Sequence, residues 1–183
     1  MDFFRVLSKD LSQPEYIHVL MNPVPVYATG TAVLALLLGI MLRSRSAQVA
    51  ALILVALSAA SAWPVYIYGE KGYYRVRAMA DNDGQKWLDA HRHRAENLIY
   101  FYYLTASVAL AAILVPLRWP RTAAPITALT LILGIGLLCV GAYIAYAGGK
   151  VRHREFRNEP PPNASNGTAA HEWIARSVRR ICS

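Results

Sequence analysis

The sequence predicts an all-α protein: a four-helix transmembrane bundle, up-down-up-down, with helices 2 and 3 extended beyond the membrane. Three observations predict it. Asp, Glu, Lys and Arg are missing from residues 19–42, 46–69, 97–117 and 122–149, stretches of 24, 24, 21 and 28 residues. A helix that crosses a bilayer needs about 20 consecutive, mostly apolar residues. Hydrophobic residues make up 55% of the 183-residue chain and charged ones only 16%. Finally, short arginine-bearing links join the first stretch to the second and the third to the fourth, which makes two tight antiparallel hairpins. A soluble globular enzyme, a nucleic-acid-binding domain and a disordered tail are poor descriptions of such a chain. The formal charge of +8 fits basic residues at the edges of membrane helices, where they meet lipid headgroups and set topology.

Taken in order, residues 1–20 carry Asp2, Asp10 and Glu15 without an apolar core, so no cleavable signal peptide is expected. Helix 1 is expected from Pro23 to Leu42. Arg43-Ser44-Arg45-Ser46 links it to helix 2, from Ala47 to about Gly69 and onward through Tyr73 and Arg77. Asp81-Asn82-Asp83-Gly84 supplies turn and N-cap chemistry. From Gln85 the chain reads as continuous helix up to Pro116, about 30 residues or roughly 45 Å. Its first residues stand proud of the hydrocarbon. Arg118-Trp119-Pro120-Arg121-Thr122 links helix 3 to helix 4, which begins near Ala123. Pro64 and Pro116 are expected to kink their helices. Residues 1–157 then form the bundle. Residues 158–183 form a flexible linker and a short basic amphipathic tail, with Trp173, Ile174, Val178 and Ile181 on one side. The two cysteines, Cys139 and Cys182, imply no disulfide framework. The Asn-x-Ser/Thr matches at Asn163 and Asn166 carry little weight. The two hairpins are alike in build, yet no residue-level repeat between them is evident.

This topology gathers the polar chemistry at one end. The hairpin end carries four of the 19 Lys and Arg, with no acid and no histidine, and the opposite end carries the other 15. Glu15 and His18 precede helix 1, Glu70 closes helix 2, His91, His93 and Glu96 open helix 3, and His153 and Glu155 follow helix 4. These eight residues are the candidate metal ligands. Glu15-Tyr-Ile-His18 is a Glu-x-x-His motif and His93-Arg-Ala-Glu96 its reverse, each placing both groups on one face if helical. The ingredients resemble those of four-helix carboxylate-bridged di-metal proteins. A single zinc, iron or copper ion on His18, His93 and His153 is as economical. No apolar span contains a histidine beyond its polar end, which disfavours a haem buried at mid-membrane. An interfacial haem b on His18 with His93 or His153 stays open. The competing reading is a solvated basic face at the headgroups, as in His91-Arg92-His93-Arg94. All 11 tyrosines fall towards this end. An aromatic belt explains many of them, while Tyr27, Tyr66, Tyr100 and Tyr146 lie one or two turns below the polar cluster. There they would hydrogen-bond to ligands or line a quinone pocket.

The stretches IHVLMNPVPVYATG, HRHRAENLIY and AYAGGKVRHREFR, spread over residues 17–157, resemble a family of uncharacterised bacterial four-helix inner-membrane proteins. Where that resemblance implies a second histidine near helix 1, this chain has Met21-Asn22. It implies a multi-pass protein of the bacterial inner membrane. Counting Lys and Arg favours both termini inside. Two functions are expected from the sequence. One is an accessory subunit of a larger respiratory or photosynthetic complex, with the bilayer and other membrane subunits or further copies of itself as partners and no nucleic acid. The other is a metal- or haem-binding redox protein, or a quinone-binding module, with its site at His18, Glu70, His93 and His153.

Overall fold

A computed structural model describes residues 2–162. The expectations for Asn163, Asn166, Cys182 and the amphipathic tail lie outside them. The chain is all-α: α1 (Asp2–Asp10), α2 (Pro14–Met21), α3 (Val24–Met41), α4 (Arg45–Ala60), α5 (Ala62–Met79), α6 (Asn82–Leu114) and α7 (Ala123–Arg152). Four spans, Pro14–Met41, Arg45–Met79, Asn82–Leu117 and Pro120–Arg152, are long and apolar enough to cross a membrane. In α3, α4, α6 and α7, each helix packs on its two neighbours around a common axis. Leu34, Leu57, Leu110 and Ile132 point outward, as side chains that face lipid do.

The hairpin end closes tightly for local reasons. Arg43 takes a positive φ of 50°, and the Ser44 side chain accepts from the Ala47 N–H as the α4 N-cap. A Cβ on Gly39 would lie 3.0 Å from the Gln48 backbone nitrogen, so only glycine lets α3 and α4 approach there. Arg45 then donates to the Ala112 carbonyl at 2.7 Å and to Thr127 Oγ1 at 3.3 Å. One guanidinium thus ties α4 to the ends of α6 and α7.

Above this, the core is layered. Leu36, Leu52, Val55, Ala109 and Ala112 fill the layer nearest the hairpins, Ala59, Ala62, Tyr102 and Leu137 the middle, and Trp87, Leu88, Ala147 and Val151 the polar end. Small side chains in each layer let the backbones approach, which is how membrane helices gain packing energy when lipid offers no hydrophobic drive. Thr29 donates to Ser58 across α3 and α4 at 3.1 Å, and Ser58 passes its own proton to the Val55 carbonyl, so these buried hydroxyls are satisfied.

Three departures from the expected outline stand out. Helix 2 is interrupted at Ser61 rather than merely bent, because Pro64 has no N–H to offer the Ala60 carbonyl. Its second half, α5, runs on to Met79, as the expected extension through Tyr73 and Arg77 requires. The segment before helix 1 is itself helical: Pro14 sits in the first turn of α2, a position that suits its missing N–H. Pro116 lies in a 3-10 turn, Val115–Leu117, and ends helix 3 instead of kinking it.

Candidate functional site

The site is built where α2 lies along α5 and α6 along α7. On α2, His18 Nδ1 meets the Val65 carbonyl oxygen of α5 at 2.8 Å. On α6, His91 Nδ1 meets the Ile144 carbonyl oxygen of α7 at 2.9 Å. A carbonyl has no proton to give, so each Nδ1 carries the hydrogen and donates it. In the neutral ring that fixes the tautomer and places the lone pair on Nε2. Neither Nε2 has a hydrogen-bond partner among the described residues. The two rings stand edge-on to each other, with centroids 6.1 Å apart and planes 78° apart.

Glycines make room for both rings. A Cβ on Gly69 would lie 2.9 Å from His18 Nδ1 and Cε1, and one on Gly148 would lie 3.0 Å from the same atoms of His91. Each glycine comes four residues after the carbonyl that its histidine binds. The arrangement is therefore the same on both sides: imidazole, carbonyl of the neighbouring helix, and one turn later a glycine against the ring. The recess between the rings is lined by both histidines and by Asn22, Tyr66 and Tyr102 as its other polar side chains. The cavity there is small, about 70 Å³.

The other candidate ligands are engaged elsewhere. Glu15 pairs with Arg75 at 2.9 Å, which pins α2 to α5. Glu70 receives a bidentate pair from Arg92, at 2.8 and 2.7 Å, and Glu96 pairs with the same guanidinium at 3.1 Å. His93 is exposed and bonded to Asn97 at 2.9 Å. His153 pairs with Glu155 at 2.9 Å and stacks on Phe156. Among the described residues, no group of three or more His, Cys, Asp and Glu side chains is placed to hold a metal ion. Of the eight, only His18 and His91 line the recess. Of the four tyrosines, Tyr66 lines the recess, while Tyr27 and Tyr100 are 75% and 72% exposed on the outer face. The Tyr146 hydroxyl instead donates to Glu159 at 2.7 Å.

A polar clasp closes the same end. Lys150, 2% exposed, reaches Glu159 at 2.8 Å and lies over the rings of Trp87 and Tyr146. The adjacent ammonium holds the Glu159 carboxyl below its ordinary range. Arg157 donates to both Asp81 oxygens at 2.9 Å and to the Lys150 and Val151 carbonyls at the end of α7. This guanidinium, with the Gly84 N–H, pulls the Asp81 pKa down from its ordinary 3.8 to about 2.

The sequence marked His18 and His91 by type but not their partnership. The anchoring carbonyls carry no sequence signature, and Tyr102 reads as one aromatic among many. Gly69 and Gly148, out of place inside helices, were the available signal. Compared with known protein families, with curated proteins and with solved structures, the chain matches none.

Proposed function

We propose that this protein is a metal-centred redox module of the bacterial inner membrane, with His18 and His91 as the ligands of its centre. One observation carries the reading. Two imidazoles from different helices share one recess, each with its Nδ1–H committed to a backbone carbonyl and its Nε2 lone pair left over. Orienting a ligating histidine through its second nitrogen is the usual device of protein metal sites, because it sets the ring angle and raises the basicity of the donor. A structural core histidine also satisfies its ring N–H on a carbonyl, so the support comes from the two unpartnered Nε2 atoms in one recess. The recess sits at the polar end of the spans. A single centre passes electrons only between neighbours, so the reading also makes the chain an accessory subunit working against other membrane redox proteins. The distribution of Lys and Arg favours both termini inside.

The test is elemental analysis and an optical spectrum of full-length protein purified in mild detergent, for the native chain and four variants. His18→Ala and His91→Ala are expected to abolish the bound metal, whereas His93→Ala and His153→Ala retain it. Retention in the first pair, or a metal-free native protein that takes up no metal on titration, overturns the reading.

A further inference from the structure

The two halves of the bundle repeat one build. His18 on the first span recurs 73 residues later as His91 on the third. Val65 and Gly69 on the second recur 79 residues later as Ile144 and Gly148 on the fourth. The hydrogen bonds from imidazole to carbonyl repeat with them, and so do the glycines against the rings. In an up-down-up-down bundle the first and third spans are parallel, as are the second and fourth, so the correspondence is two-fold. This internal repeat takes in α2 but not α1. Among the described residues α1 packs closely on no other helix, and none of its side chains lines the recess. Its role is therefore not in building the site.

We propose that α1 lies in the plane of the bilayer surface, with Phe3, Phe4, Leu7 and Leu11 sunk into the boundary between headgroups and acyl chains. Three observations carry this, and none of them depends on the metal-centre reading. The first is the sorting of its side chains. At about 100° per residue, Phe3, Leu7 and Leu11 follow one another down a single helical path with Phe4 beside them, and Arg5, Ser8 and Lys9 fall on the other side. The Leu11 N–H bonds to the Leu7 carbonyl at 2.8 Å, which carries the last turn far enough to place Leu11 on the apolar face. A helix with aromatic and aliphatic residues on one face and cations on the other suits the membrane interface. The second is exposure. Phe3 and Phe4 are 70% and 77% exposed, so the fold gives two large aromatic side chains no cover. The third is depth. Only three residues separate α1 from α2, which opens the span Pro14–Met41. Glu15 pairs with Arg75, six residues past Gly69, where the charge-free run of helix 2 ends. At 1.5 Å per residue α2 thus begins about 9 Å outside the hydrocarbon, near the outer edge of the headgroup layer. A lipid surface is therefore within reach of α1, with Arg5 and Lys9 turned to phosphates and water. Seated there, α1 holds the outer end of α2, the helix that carries His18.

The experiment places an environment-sensitive fluorophore on the full-length chain, in a Cys139→Ser, Cys182→Ser background, through Phe4→Cys, Leu7→Cys or Lys9→Cys. Each labelled protein is reconstituted into vesicles of phosphatidylcholine and phosphatidylglycerol, with or without bromine on the upper acyl chain, and iodide serves as the aqueous quencher. The labels at positions 4 and 7 are expected to lose at least half their emission to brominated lipid and to resist iodide. The label at position 9 is expected to do the opposite. Adding Phe3→Asp to the Phe4→Cys protein is expected to open its label to iodide while the melting temperature stays unchanged, because α1 supports no other helix. Labels at all three positions equally open to iodide overturn the proposal and leave α1 in water. Labels at positions 4 and 7 shielded from both quenchers also overturn it, and assign the apolar face to a protein surface instead, either the chain's own residues 163–183 or a second copy.

Discussion

Asp81 shows how much one side chain holds at the polar end of the bundle. It caps α6 through the Gly84 N–H at 2.8 Å and accepts from Arg157 Nη1 on both its oxygens, with Arg154 at 2.9 Å as a further partner. Its carboxyl titrates at about 2 in the folded chain, against 3.8 ordinarily, so the folded state binds this proton more weakly than the unfolded state. The stabilisation is therefore complete above about pH 4 and is withdrawn as the pH falls towards 2. Asp81→Asn is expected to lower the melting temperature at pH 7 and to flatten its dependence on pH between 4 and 2, read by circular dichroism in detergent. A pH profile parallel to that of the native chain would assign the acid limb to other carboxylates. At the same scale, Glu15, Glu70 and Glu96 looked like ligands because carboxylates near histidines are what a metal site offers. Sequence cannot say that Arg75 and Arg92 reach them first, since each of those pairs forms between or along helices whose facing angle only packing sets.

The element that decides the site is α2, a helix of eight residues ahead of the first long span. It holds no buried residue of its own and depends on α5 for its place. The contact is close: a Cβ on Gly72 would lie 3.0 Å from the Cα of Glu15, backbone that has no room to give. Gly72→Leu is expected to lever α2 off α5 at a cost of about 1–3 kcal/mol, the usual range for overpacking, and to weaken metal binding as His18→Ala does. A melting temperature within error of the native chain would show that α2 docks otherwise. The glycines that count against helix in isolation, by about 1 kcal/mol each, are thus the positions where a second helix and a histidine ring come in. The same logic explains why α5 continues past them, since tertiary contact outweighs propensity there.

For the whole molecule, the hairpin end and the site end divide the work. Arg45 locks one end mechanically, while the other combines the recess with the clasp of Asp81, Lys150 and Arg157. If both termini face inside, the hairpins face out. In a Cys139→Ser, Cys182→Ser background, Ser44→Cys is expected to react with an impermeant thiol reagent in intact cells and Ser12→Cys only after lysis. The reverse pattern would invert the protein. The two-fold build also predicts that His18→Ala and His91→Ala lower the metal content to the same extent and that the double variant loses no more than either alone.

The charge-free runs determined the four spans and the two hairpins without help from packing, because in lipid a long apolar helix is the form that satisfies its own backbone. The order of the spans also placed every histidine of residues 18–153 at one end. Which two of them meet was left to the tertiary structure. That choice depends on helix rotation and on two carbonyls, at Val65 and Ile144, that any residue would supply. The internal repeat stayed hidden for the same reason: it survives at positions that face the recess, while lipid tolerates any apolar side chain on the outer face, where the two halves differ.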